Sequence, residues 1–352
     1  MKSEPLVTLT PSGLFCAAGG FHIDPWRPVE RAIITHAHAD HARTGSANYL
    51  AADRCENVLR TRLGEIRLQT LPYGEEIGLG STRISLHPAG HVLGSAQVRI
   101  EARGEVWVVS GDYKVAPDPT CEAFEAVHCE TFVTESTFGL PIYRWKEPRE
   151  IASDIDAWWG ENAERGRTSV LFGYAFGKAQ RILAHVNAAI GPIFCHGAVE
   201  SLNSAYRASG VALPPTKSAA EATPVELARA LIVAPPAAQS TPWMRRFGDY
   251  SDAFASGWMH LRGTRRRRGV DRGIVLSDHA DWPGLIGAIT ATGASSVYVT
   301  HGYAAPLARY LSERGLETHT FETEFEGESG GDVSGVVTDL VDVGTVGVAT
   351  PS

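Results

Sequence analysis

The chain has 352 residues, of which 43% are hydrophobic and 20% are charged, and its formal net charge is −8. This length predicts about two domains, or one domain with a large insertion, and the composition is that of an ordinary globular protein. No apolar run reaches the ~18 residues of a membrane span, and the first ten residues do not form a secretory signal, so we expect no membrane partner. Five cysteines without paired spacing favour reduced thiols in a cytoplasmic protein.

The first predicted elements are short strands over residues 6–10, 20–24 and 32–35, separated by Gly and Pro turns. Asp24 closes the second of these strands, directly before Pro25. Its carboxylate could hydrogen-bond a metal-binding histidine, or it could cap the turn at the proline. The sequence does not choose between these two roles.

A dense cluster of metal-capable side chains follows the third strand, and it consists of His36, His38, Asp40 and His41. Only 13 histidines occur in the whole chain, which argues against a solvated loop with accidental histidines. Imidazole and carboxylate together suit zinc, manganese or iron rather than calcium or magnesium. Two ligand pairs this close in the chain favour two ions over one. We expect Asp40 to cap a following helix and His41 to lie on its first turn.

The next segment predicts a helix over residues 52–63 and strands over 83–87, 96–100, 106–109 and 131–134. His91 and Asp112 occur in turns that follow these strands, and Glu135 ends the last one. Several strands that each deliver a histidine or a carboxylate at one end indicate a site at one rim of a sheet.

The pattern changes near residue 149, where we expect an inserted α/β domain with a partly parallel sheet. A helix over 151–163, a strand over 169–172 and a helix over 177–190 begin this domain, and a basic run at 265–268 closes it. A strand over 273–276 then leads to His279, a helix starts near 282, a strand over 296–300 leads to His301, and a helix covers 305–314. The predicted division is a first core part (1–148), the insertion (149–268), a second core part (269–325) and a mobile tail (326–352).

Taken together, the cluster at 36–41, His91 and Asp112 resemble the motifs of the metallo-β-lactamase fold. Glu135, His279 and His301 resemble the three further motifs of its β-CASP nuclease branch. The stretches 139–145 and 278–282 are similar to bacterial ligase-associated DNA exonucleases, which are relatives of the Artemis-type repair nucleases. The resemblance covers residues 8 to about 320. It implies an αββα sandwich with an inserted β-CASP α/β domain, although the fold alone hosts many hydrolases.

The resemblance also implies a centre of two divalent ions, Zn²⁺ first and Mn²⁺ as the other choice. The first ion would be held by His36, His38, His91 and Asp112. The second ion would be held by Asp40, His41, the shared Asp112 and His301. Two such ions lower the pKa of a bridging water and neutralise phosphodiester oxygens, so that the activated water can hydrolyse the linkage.

Three residues are expected to take part in catalysis. Asp40 can orient the attacking water. His279 is not required as a ligand, so it is free to protonate the leaving oxygen while Glu135 holds its other ring nitrogen. The alternatives are a core histidine satisfied by backbone for His279 and a plain surface acid for Glu135.

The stretch 172–180 resembles the β-CASP segment that opens a helix beside the scissile strand. We expect Gly177 and Lys178 to contact a substrate phosphate and Tyr174 to stack on a base, the alternative being a simple strand-to-helix turn. The basic run would face the nucleic-acid backbone, although charge runs are usually only solvated. Its members are Arg265, Arg266, Arg267 and Arg268.

The resemblance implies a metal-dependent DNA exonuclease that acts 5′ to 3′ on single-stranded DNA in repair, with a DNA ligase and a helicase as expected partners. One residue departs from the Artemis-type pattern, because those nucleases usually carry valine where this chain has His301, and RNA-cleaving relatives carry histidine there. The likeness around Glu135 and His279 favours DNA, and no feature of the sequence recognises a 2′-hydroxyl. The alternative is a β-CASP RNA endonuclease or exonuclease in RNA 3′-end processing.

Overall fold

Two β-sheets form the core of the protein, and the computed structural model describes residues 4–322. The first sheet has the strand order β1 (Thr8–Thr10), β2 (Gly13–Cys16), β3 (Phe21–Ile23), β4 (Arg31–Ile33), β5 (Asn48–Ala52) and β6 (Leu68–Leu71). The second has the order β19 (Glu317–Thr320), β18 (Ser296–Gly302), β11 (Thr131–Ser136), β10 (Glu105–Val109), β9 (Ala96–Ala102), β8 (Thr82–Pro88) and β7 (Glu76–Leu79).

A third sheet lies between β11 and β18 in the sequence. Its order is β14 (Lys217–Ser218), β13 (Ile193–Cys195), β15 (Leu231–Ala234), β12 (Thr168–Phe172), β16 (Tyr250–Ala255) and β17 (Arg272–Ile274). The helices are α1 (Glu56–Leu63), α2 (Pro148–Glu164), α3 (Lys178–His185), α4 (Gly197–Ala208), α5 (Pro224–Leu227), α6 (Arg262–Arg268), α7 (Trp282–Thr292) and α8 (Ala304–Ser312).

The first two sheets pack face to face, because their strands turn apolar side chains such as Leu14, Ile33, Val98 and Val133 into one shared core. Helices α7 and α8 cover the outer face of the second sheet, and α1 covers the outer face of the first. These layers are the predicted αββα sandwich, which is therefore confirmed. No helix within residues 4–322 is long and apolar enough to cross a lipid bilayer.

The inserted α/β domain is built on the third sheet, in which every strand pair is parallel rather than only some of them. Helices α2 and α3 cover one face, where Trp159 and Ile182 pack on Leu171 and Val233. The sheet takes its last strand, β17, from beyond residue 268. The division at 148, 268 and 325 stays a prediction, and the tail predicted as mobile (326–352) lies outside the described residues.

Two predicted helices differ from the structure. The helix expected directly after Asp40 is absent. His38 O accepts from the backbone N–H groups of His41 and Ala42 in a single turn, so Asp40 caps no helix, and the next α-helix in the chain is α1. The helix predicted over 177–190 ends at His185, because the following residue, Val186, has extended backbone angles (φ −75°, ψ 152°).

The predicted rim is present at the second sheet. Strands β10, β11 and β18 are parallel neighbours, with Trp107 opposite Thr131 and Thr131 opposite Ser296. The carboxyl ends of parallel neighbours meet at one edge of a sheet, so the polar residues that follow these strands come together.

Candidate metal centre

Six of the seven predicted ligands surround the seventh, Asp112. One of its oxygens, Oδ2, lies 3.6 Å from His36 Nε2, 3.4 Å from His41 Nε2 and 3.8 Å from His91 Nε2. The other oxygen lies 3.1 Å from His301 Nε2. The two remaining predicted ligands lie beside these histidines. His38 Nδ1 is 3.1 Å from His91 Nε2, and Asp40 Oδ2 is 3.7 Å from His41 Nε2.

The donor set fits divalent ions. Within residues 4–322, His36 Nε2 is buried and makes no hydrogen bond, which is costly unless a cation occupies the space it faces. Burial and the imidazoles around it hold the pKa of His36 well below its ordinary value, so the ring is neutral, as a ligand must be. Burial also lowers the pKa of His41, but Asp112, Asp40 and Asp24 outweigh it and raise that pKa well above the ordinary value. Three carboxylates around one imidazole are an excess of negative charge that a bound cation would neutralise.

Of the two roles considered for Asp24, the structure shows the hydrogen bond to a predicted metal-binding histidine. Its Oδ2 lies 2.7 Å from His41 Nδ1, and its Oδ1 accepts from the backbone N–H of Thr35 at 2.7 Å. A carboxylate that accepts from Nδ1–H fixes the tautomer and orients Nε2 toward Asp112 and Asp40. Asp24 is buried and has the unusual φ of 45°, so the chain departs from ordinary backbone geometry to bring it there.

His279 and Glu135 form a buried pair beside the predicted ligands. His279 Nδ1 lies 2.9 and 3.0 Å from the two carboxylate oxygens of Glu135, and the His279 ring packs against His91 with 4.7 Å between centroids. Glu135 also accepts from the backbone N–H of Tyr113 at 2.8 Å. Burial lowers the pKa of His279, but Glu135 and Asp112 outweigh burial and raise it. The imidazolium form is thus favoured next to the centre.

A cleft of about 450 Å³ opens onto the centre, lined by Asp40, Asp112 and His279 on one side. The inserted domain supplies Tyr174 and Phe176 to its wall, and Leu202 lies there as well. The side chain of Tyr174 is half-buried, and Lys178 Nζ lies 5.1 Å from the centroid of its ring. The predicted stacking role of Tyr174 stays a prediction, and its position is compatible with it.

Two arginines of the cleft were not predicted from the sequence. Arg43 and Arg62 line the wall formed by the core domain. Arg43 donates to Trp26 O at 3.1 Å, and Arg62 donates to Ala37 O, so both guanidinium groups are held in place. Arg43 stands two residues after His41, which could have signalled its position. Arg62 lies near the end of α1, and only the folded chain brings it to the cleft.

The phosphate contact predicted for Lys178 is not supported by its position. The side chain is fully buried, and its Nζ lies 3.3 Å from Asp278 Oδ2 rather than on the cleft surface. Gly177 has φ 84°, and a Cβ built on it would lie 2.3 Å from Val92 Cγ1. Glycine is therefore required here by close packing of the inserted domain on the core domain.

The basic run forms most of the short helix α6 and is not among the residues that line the cleft. Arg265, Arg266 and Arg267 are exposed, while Arg268 is half-buried with its guanidinium carbon 4.3 Å from the ring centroid of Phe254. Their contact with a nucleic-acid backbone stays a prediction.

Comparison with curated proteins finds relatives that are longer than this chain. It is 31% identical over 309 residues to a protein of Opitutus terrae named "Probable DNA ligase", a match that covers 87% of this chain and 30% of that protein. It is 29% identical over 122 residues to "Endoribonuclease YSH1" of Gibberella zeae, which covers 33% of this chain and 14% of that protein. The chain thus spans less than a third of the length of these relatives. No protein-family model matches the chain.

Comparison with solved structures gives the same architecture at low identity. The crystal structure of a protein of unknown function from Enterococcus faecalis V583 superposes with a TM-score of 0.57, over 84% of this chain and 79% of that one. The two sequences are 12% identical, so the likeness concerns the fold alone.

Proposed function

Since the chain belongs to the β-CASP family of the metallo-β-lactamase fold, we propose that it is a metal-dependent DNA exonuclease that hydrolyses single-stranded DNA in the 5′-to-3′ direction. The observation that carries the proposal is the convergence of His36, His38, His91, Asp112, Asp40, His41 and His301, with the His279–Glu135 pair beside them. A single cleft gives access to both groups.

The centre would hold two divalent ions, one on His36, His38, His91 and Asp112 and the other on Asp40, His41, Asp112 and His301. When bound, such ions supply a hydroxide equivalent at neutral pH and neutralise charge on the phosphodiester oxygens. Asp40 lines the cleft and accepts a hydrogen bond from the attacking water, which orients it. His279 donates its Nε2 proton to the leaving oxygen, and Glu135 keeps the other ring nitrogen aimed and the imidazolium charged.

The substrate strand would lie along the cleft between the core and the inserted domain. Arg43 and Arg62 keep further N–H groups besides those already donated to backbone carbonyls, so they can bind phosphate oxygens. On the opposite wall, Tyr174 offers a ring face for a base, and stacking of this kind tolerates any sequence. The site therefore holds backbone and base without reading sequence.

DNA is proposed as the substrate because a relative that matches 87% of this chain is named as a probable DNA ligase. The likeness of the segments around Glu135 and His279 to ligase-associated DNA exonucleases points the same way. A role in DNA repair, a cytoplasmic location, and ligase and helicase partners stay predictions.

The test uses matched 5′-phosphorylated DNA and RNA oligonucleotides and a circular single-stranded DNA, each with Zn²⁺ or Mn²⁺. We expect the linear DNA to be shortened from its 5′ end and the circle to resist, because an exonuclease needs an end. Asp112→Ala should abolish cleavage. The matched control is Asp249→Ala, because Asp249 pairs with Arg167 at 3.0 Å on the far side of the inserted domain and is exposed. Cleavage by Asp112→Ala equal to that of the parent protein would refute the proposal.

RNA cleavage is the second candidate function, and His301 favours it. The imidazole faces Asp112 at 3.1 Å, where RNA-cleaving relatives also carry histidine, and one relative is named as an endoribonuclease. Faster cleavage of the RNA oligonucleotide, or cleavage of a circular RNA, would replace the first proposal with this one.

A further inference from the structure

Helix α3 of the inserted domain reaches the candidate metal centre through one buried arginine. Arg181 is only 3% exposed, although guanidinium groups are rarely buried without a specific reason. Its Nη2 donates to the backbone carbonyl of His91 at 3.1 Å. Its Nε lies 3.2 Å from Asp278 Oδ1 and 3.5 Å from Asp118 Oδ2. One side chain of the insertion thus contacts a predicted ligand and two carboxylates of the core domain.

Asp278 continues the contact to the imidazole of His91. Its backbone carbonyl lies 2.9 Å from His91 Nδ1, and a carbonyl can only accept, so this nitrogen carries the proton and Nε2 presents its lone pair to the centre. The Asp278 side chain is held by Arg181 and by Lys178, whose Nζ lies 3.3 Å from Oδ2. The His91 carbonyl thus contacts Arg181, Arg181 contacts the side chain of Asp278, and the Asp278 carbonyl contacts the His91 ring.

Arg181 therefore holds the main chain of His91 directly, and it contacts the residue whose carbonyl holds the His91 ring. The planar guanidinium presents Nη2 to the carbonyl and Nε to the carboxylate in one fixed fork, whereas an ammonium carries all its donors on a single nitrogen. The contacts that orient a ligand histidine typically change metal affinity by 10–100-fold when they are lost.

We propose that Arg181 is a positioning residue that orients His91, and that the inserted domain thereby sets the affinity of the first ion site. The inference rests on the metal centre of the proposed function and is independent of the substrate. Its consequence is that the inserted domain supports the metal centre directly, in addition to forming one wall of the cleft.

The test measures Co²⁺ binding to the full chain by its visible absorption, which reports the ligand field of each ion without any nuclease assay. Arg181→Met should weaken the tighter of the two binding steps or alter its spectrum, with a loss of affinity of about 10–100-fold. Arg181→Lys keeps the buried positive charge, yet its Co²⁺ affinity should still fall by about 10-fold because one ammonium nitrogen cannot occupy the positions of both Nη2 and Nε.

Arg207→Met is the matched control in the same domain. Arg207 lies on α4 and bonds to Glu200 Oε1 at 3.2 Å, Pro214 O at 2.8 Å and Thr216 Oγ1 at 2.8 Å, away from the centre. It should lower the melting temperature and leave Co²⁺ binding unchanged.

Parent affinity and spectrum in Arg181→Lys would overturn the proposal, and this variant decides if Arg181→Met does not fold. Equal losses in the Arg181 and Arg207 variants would also overturn it, because they would report general destabilisation. Absence of Co²⁺ binding in the parent protein would remove the metal centre and this inference together. Normal Co²⁺ binding without nucleic-acid cleavage would refute the proposed function alone.

Discussion

Replacing His279 by asparagine tests whether this imidazole protonates the leaving oxygen. Its Nδ1 lies 2.9 Å from Glu135 Oε2, and both side chains are almost fully buried, so the pair is shielded from water. Burial lowers the pKa of His279, but the carboxylates of Glu135 and Asp112 outweigh burial and raise this pKa, which favours the protonated ring. A positioned general acid contributes about 10²–10⁴-fold, so kcat should fall by that factor, or about 3–5 kcal/mol in barrier height.

Glu135→Gln should cost less, because the amide oxygen can still accept from Nδ1–H and only the charge is lost. A hydrogen bond to a charged group is worth about 1.5–3 kcal/mol and a neutral one about 0.5–1.5 kcal/mol, so the difference is about 1–1.5 kcal/mol, or roughly 5–15-fold in rate. The carboxylate raises the pKa of His279, so without it the acid loses its proton at lower pH. The alkaline decline of activity should therefore begin at lower pH in this variant than in the parent protein.

The assay compares DNA with the p-nitrophenyl ester of thymidine 5′-phosphate, whose nitrophenolate leaves without a proton. The loss in His279→Asn should shrink to less than about 10-fold on the ester, because general-acid help is no longer needed. The control is His87→Asn, since His87 Nδ1 lies 3.2 Å from Glu125 Oε1 in a similar pair outside the cleft, and it should retain full activity. Equal losses on both substrates would refute the general-acid role.

Three other changes give separate predictions. Asp24→Asn should weaken metal binding by about 10–100-fold, measured by competition with a chelating dye, and an unchanged affinity would contradict the orienting role. Asp118→Asn should lower the free energy of unfolding in urea. Burial raises the pKa of the Asp118 carboxyl, but His185 and Arg181 outweigh burial and lower this pKa below 3.8. The difference in unfolding free energy between the parent protein and Asp118→Asn should therefore persist at about pH 5 and shrink only below pH 3.8. Equal unfolding free energies at pH 5 would contradict the prediction. Gly177→Ala should cost about 1–3 kcal/mol of unfolding free energy through overlap with the core domain. Gly64→Ala, with φ 71° and no atom within 4 Å, should lose less, and equal losses would disprove the overlap.

The predicted ligands could be found from sequence because their positions follow local rules. Four of them, from His36 to His41, are close neighbours in the sequence, and Asp112 and His301 come at the ends of apolar strands, as does Glu135. Parallel strands bring such ends together whatever the rest of the chain does. The αββα layers follow from the same strands.

Lys178 shows why other residues could not be placed. The sequence around a lysine at the start of a helix does not indicate whether its side chain faces a cleft or the protein core. Its direction is decided by Asp278, which lies far along the chain and becomes its neighbour only after the inserted domain packs on the core domain. Arg62 reaches the cleft for a similar reason, because α1 packs against the inserted domain. The prediction of a helix after Asp40 is wrong because an aspartate that suits a helix cap also suits a tight turn.

The first and last predicted ligands, His36 and His301, come from opposite ends of the described chain, and both face Asp112. During synthesis on the ribosome, the first histidine cluster emerges long before strand β18, which carries His301. A partly made chain therefore lacks the residue that closes the second ion site. On the proposed function, a nascent chain would therefore lack a complete metal centre until translation has passed His301.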